Sequence, residues 1–189
     1  YGEDICDGAR EILSEYISAG GAFDLCDSAR KTELELGKAY LRIDWAYHHA
    51  ERVTEAKAMF EGLDLSPIEG LLSIYSSWDY RIKDAQTLEQ SREALRGAVA
   101  EADAVSVELE AESFTARYGD IIEKSPDSVG ISDKDGLYAA IRGFCGLSAA
   151  AREKLGEAIS SLAVNYRSVC RLEISALFDS EASKEIAED

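Results

Sequence analysis

The chain has 189 residues, of which 46% are hydrophobic and 30% charged, so it is neither wholly disordered nor too short to bury a core. Lys and Arg total 20 against 37 Asp and Glu, a formal net charge of -17 that repels nucleic acid and anionic membrane surfaces. No apolar run approaches the length of a transmembrane helix, and the single asparagine, Asn165, heads no glycosylation sequon.

The chain opens on Tyr1 rather than Met, and we read it as a fragment from which a signal peptide and a C-terminal anchor are removed. Its only prolines, Pro67 and Pro126, divide an Ala-, Leu-, Glu-, Lys- and Arg-rich sequence into three helical segments, about 3–62, 66–124 and 137–180. A helix of about 55 residues is about 80 Å long, well beyond the globular norm. The first segment carries one apolar line at Ile12, Tyr16, Ala19, Phe23 and Cys26. A second, out of phase with it, runs through Leu36, Tyr40, Ile43, Tyr47 and Ala50. Gly20-Gly21 lies between them as a point of weakness in the helix. His48 and His49 are adjacent and diverge on a helix; Asp44 and His48 share a face but lack further metal ligands.

Gly62 to Glu69 reads as a helix stop and restart, with Ser66 as N-cap, Pro67 at N1 and Glu69 closing a capping box. The second segment then carries a heptad line at Leu88, Ser91, Leu95, Ala98, Ala102, Val105 and Leu109. The aromatic residues at this level, Trp45, Tyr47, Tyr75, Trp78 and Tyr80, read either as a binding face or as core; core is the better account for most of them, with Tyr80 the outlier. Ser125-Pro126-Asp127-Ser128 and Asp133-Lys134-Asp135-Gly136 mark a loop. Setting Gly136 at the sixth position of a calcium loop puts Ile131 first and Arg142 twelfth, neither a ligand, so a capping turn is the better account. The third segment continues the pattern at Leu155, Ile159, Leu162, Tyr166 and Val169.

Three long amphipathic helices burying one stripe each predict an all-α fold: a single elongated, antiparallel three-helix bundle over 1–189 with coiled-coil-like packing. In that topology the first and third helices run parallel. The four cysteines then match as Cys6 with Cys145 and Cys26 with Cys170, two disulfides of an extracellular protein. Four buried free thiols in a cytosolic adaptor are the alternative. No nucleotide loop, nucleophile elbow, zinc spacing or Glu-x-x-His pair occurs, so neither an enzyme, a cofactor nor a metal is expected.

Ala116-Arg117-Tyr118-Gly119-Asp120-Ile121-Ile122-Glu123-Lys124, followed by Ser128-Val129-Gly130 and Asp135-Gly136, resembles the trypanosome haptoglobin–haemoglobin receptor family. The opening Glu3-Asp4-Ile5-Cys6-Asp7-Gly8-Ala9 is similar to the start of that family's first helix. The resemblance is specific over about a third of the chain. It implies a GPI-anchored three-helix ectodomain on the parasite surface, in a group that includes the complement factor H receptor and Glu/Ala-rich coat proteins. The chain is shorter and richer in cysteine than the haptoglobin–haemoglobin receptors, which favours a sister receptor. The expected function is therefore a monomeric surface receptor for a host serum protein, factor H first and haptoglobin–haemoglobin second. The ligand contact is expected at Asp127, Ser132, Lys134 and Tyr138, in and beside the loop, or on the faces around the Gly20-Gly21 kink. A protective coat protein without a ligand is the other reading of the same acidic helical surface.

Overall fold

The computed structural model describes residues 3–18 and 27–188, and every regular element among them is helical. Helices α1 (Glu3–Ser18), α2 (Asp27–Met59), α3 (Ile68–Asp84) and α4 (Leu88–Ile122) are followed by a 3-10 turn (Ile131–Asp133). Then come α5 (Lys134–Gly146), α6 (Ala149–Lys154) and α7 (Gly156–Glu188). The chain forms two compact units, Tyr1–Leu109 and Glu110–Asp189. The Gly20-Gly21 break expected from the sequence lies outside the described residues.

In the first unit, α2 buries Leu41, Trp45, His49, Ala56 and Phe60, spaced four and seven apart. They pack against Ile68, Leu71, Ile74, Tyr75 and Ile82 of α3 and against Ala98, Ala102 and Leu109 of α4. The heptad line expected on α4 holds at every position: Ser91, Ala98, Ala102 and Leu109 are buried, and Leu88, Leu95 and Val105 are half-buried. Small residues there allow close approach, so that Gly97 leaves its side-chain space to the Trp78 ring. The line expected on α2 is corrected. Tyr40, Tyr47 and Ala50 face outward, because the core stripe runs through Trp45 and His49 on the opposite side of the helix.

Polar groups fix the α2–α3 register. Trp45 Nε1 donates to the Tyr75 carbonyl (3.2 Å), and His49 Nε2 lies 3.1 Å from the Leu71 carbonyl, one turn along each helix. Arg42 forks onto Asp79 through Nε (2.8 Å) and one terminal nitrogen (2.9 Å), which raises the Arg42 pKa through the hydrogen bond to Asp79. The turn from α2 to α3 has Gly62 at φ +78, a left-handed position that suits glycine. The capping box expected after it does not form. Ser66 Oγ donates to Asp64 (2.6 Å), and Asp64 also accepts the Ser66 backbone N–H (3.0 Å), an Asx turn, and no side chain caps α3.

The second long segment is divided at residues 85–87. Thr87 Oγ1 accepts the Gln90 N–H (3.2 Å) and Gln90 reaches back to the Gln86 N–H (2.9 Å), so a new helix begins where no proline stands. The second unit repeats the device. Ser148 Oγ caps α6 at the Ala151 N–H, while the Ser148 N–H donates to Glu110 (2.7 Å). Its core joins Phe114 of α4, Val129 of the loop, Leu137 and Ala140 of α5, and Leu162 and Val169 of α7. Leu155, Ile159 and Tyr166 border this core, so the stripe expected on the third segment is in place. Beyond Val169, α7 runs on with Ile174, Leu177 and Phe178 exposed.

Candidate functional site

The loop between α4 and α5 is built from its polar residues inward. Lys124 Nζ pairs with Asp133 (2.7 Å), whose second oxygen accepts the Gly130 N–H (2.9 Å). The Lys124 hydrogen bond, then that from Gly130, holds the Asp133 carboxyl below the usual carboxylate range. Asn165, fully buried on α7, donates to the Lys124 carbonyl (2.7 Å), and Val129 is buried beneath the turn. These bonds tie the loop to α7, and a hollow of about 270 Å³ beside it is lined by Lys124, Pro126, Val164 and Asn165.

On this scaffold Asp127, Ser132 and Tyr138 are exposed. Lys134 is half-buried and salt-bridged to Glu173 of α7 (2.6 Å), an interaction that raises its pKa. No hydrogen bond or ion pair joins any two of these four, so the loop presents separate groups and not one converging set. Of the cysteines, Cys145 is exposed and Cys170 half-buried, and they are not bonded to each other. The expected pairings turn on Cys26, which lies outside the described residues, and on Cys6, whose side chain does too.

A second candidate lies on α2. Tyr40 (69% exposed) and Tyr47 (66% exposed) are one heptad apart, with Leu36 and Ile43 half-buried on the same face. Beside them Asp44 and Glu51 bracket His48 at 3.7 and 3.9 Å, and the Tyr47 ring meets the His48 ring edge-on. A shallow hollow of about 310 Å³ adjoins this face, lined by His48, Glu51, Arg52, Glu55 and Asp103, with Arg52 bonded to Asp103 of α4. Sequence reasoning placed these tyrosines in the core; their spacing was visible, their direction was not. The face offers aromatic area with hydroxyl tips, a side-chain type enriched in protein contact surfaces. Among the described residues no group of three or more His, Cys, Asp or Glu side chains is placed to hold a metal, and no helix is long and apolar enough to cross a membrane. Scans against protein-family models, curated proteins and solved structures find no match to this chain.

Proposed function

We propose that this chain is the ectodomain of a trypanosome surface receptor that captures a host serum protein. In this reading it is a binding protein, not an enzyme, held monomeric outside the plasma membrane by a GPI anchor and built as an elongated antiparallel three-helix bundle. The sequence resemblance at 116–136 and 3–9 supports the family, and the all-helical architecture is compatible with it. The observation that carries the receptor reading is the exposed Tyr40–Tyr47 face. Tyrosine offers large, stiff contact area with a polar tip, and a purely protective coat has no use for two of them on one stripe.

The test is capture from mammalian serum on the immobilised protein, with purified factor H and haptoglobin–haemoglobin as the first ligands. Saturable binding of either is expected, and a Tyr40→Ala/Tyr47→Ala double variant should weaken it at least about tenfold while Asp127→Ala and Ser132→Ala have smaller effects. Absence of any saturable serum ligand overturns the receptor reading and leaves the coat protein.

A further inference from the structure

In a chain where carboxylates outnumber cations 37 to 20, a cavity whose charged lining is three cations and one carboxylate stands out. One lies in the first unit, where α1, α2 and α3 meet around a half-enclosed space of about 80 Å³. Lys38, Arg42 and Lys83 line it against a single carboxylate, Glu35, and Gly8 and Ile12 of α1 form part of its wall. The cations keep donors to spare. Lys38, with a side chain only 10% exposed, uses one contact on Glu35 (3.2 Å). Arg42 commits Nε and one terminal nitrogen to Asp79, leaving its other amino group without a partner among the described residues. Lys83 has no partner among the described residues.

Gly8, inside α1, has no neighbouring heavy atom within 4 Å of where a Cβ would stand, so the wall is open at that point. Glu35 offsets Lys38 and Asp79 offsets Arg42, so the Lys83 charge is the uncompensated one, and a small anion seated among the three cations meets that charge together with the spare N–H donors of the other two.

We propose that this cavity binds a tetrahedral oxyanion of the size of inorganic phosphate. Lys38, Arg42 and Lys83 donate to its oxygens and α1 closes one side. The site is distinct from the tyrosine face and does not depend on the receptor reading. Because α1 supplies a wall, binding fastens α1 to α2 and α3.

The probe is inorganic phosphate, titrated against sodium chloride at matched ionic strength, with thermal midpoint and amide hydrogen exchange of α1 as readouts. The expected result is a saturable rise in midpoint and slower α1 exchange in phosphate only. Lys83→Gln, a change at an exposed position that leaves the core intact, should weaken the apparent affinity at least about tenfold. Gly8→Leu, which fills the space and keeps every cation, should abolish the response. Equal shifts in chloride and phosphate, or a Lys83→Gln protein that responds as the parent does, would overturn the proposal.

Discussion

His49 is the most consequential single side chain in the first unit. Its ring lies 5.0 Å from that of Tyr75 and 5.6 Å from that of Trp45, and the Leu71 carbonyl 3.1 Å away requires the proton to sit on Nε2. Burial pushes its pKa below the ordinary histidine value and the nearby Arg52 charge adds to that, against an opposing contribution from the Leu71 hydrogen bond. The folded state therefore binds fewer protons than the unfolded state once the pH falls below about 6.5, and stability must decline there as the solution is acidified. A thermal melt series from neutral pH to about 5 should show that decline in the parent. His49→Gln, starting from a lower midpoint, should flatten it. An unchanged slope in the variant would remove His49 as the cause. The depressed carboxyls of Asp64 and Asp133 contribute in a separate, more acidic window, lost only as pH falls through their own lowered values.

Gly97 makes the complementary steric point. A Cβ there would stand 2.7 Å from Trp78 Cη2, and that indole is confined by Arg81 stacked at 4.3 Å and by a hydrogen bond to Glu101. Alanine is the better helix former by about 1 kcal/mol, yet overpacking a ring that cannot retreat costs about 1–3 kcal/mol, so Gly97→Ala should be destabilising on balance. Gly70→Ala on α3, where nothing lies within 4 Å, should instead stabilise by about 0.5–1 kcal/mol. Chemical denaturation of both variants checks the pair, and the opposite signs are the diagnostic outcome.

At the scale of the helices, boundaries depend on caps as much as on prolines. Thr87 and Ser148 each accept an N–H of the first turn of the helix they open, and Thr87→Ala or Ser148→Ala should cost about 1 kcal/mol in denaturant unfolding. Both signals were present in the sequence. Thr87-Leu88-Glu89-Gln90 has cap spacing, but the helix-forming composition on either side masked it and made proline look like the sole breaker. Ser66 shows the reverse failure. Its box spacing was correct, but the Asp64 carboxylate two residues earlier holds the Ser66 hydroxyl and N–H in a local turn, and no side chain caps the first turn of α3. The α4 stripe was legible because its positions are uniformly apolar or small. The α2 stripe was not, because its core line passes through His49, a residue that reads as polar until its N–H finds a carbonyl of α3, while the competing line is made conspicuous by two tyrosines. That one ambiguity also hid the candidate contact face. The loop residues were legible as exposed, but the Lys134–Glu173 pair depends on α5 meeting α7 and has no local signature.

At the scale of the molecule, the described residues form two separate hydrophobic cores, and α4 supplies side chains to both: Ala98, Ala102 and Leu109 to one, Phe114 to the other. Both tryptophans, Trp45 and Trp78, belong to the first unit, whereas the second unit's aromatic cluster is Phe114, Tyr118 and Phe144. Tryptophan emission thus reports on one core while far-UV circular dichroism reports on the helices of both. Leu162, with no exposed surface, stands at the centre of the second core, and Leu162→Ala should cost about 2–5 kcal/mol there through lost burial and the cavity left behind. If each core is its own cooperative unit, the Leu162→Ala melt splits: part of the dichroism is lost early while the tryptophan midpoint stays at the parent value. Ile82→Ala, an equally buried truncation in the first core, should lower the tryptophan midpoint and leave the later part of the dichroism transition in place. Coincident shifts of both probes in both variants would mean that α4 transmits the loss of either core along its length, and that the two units fold as one.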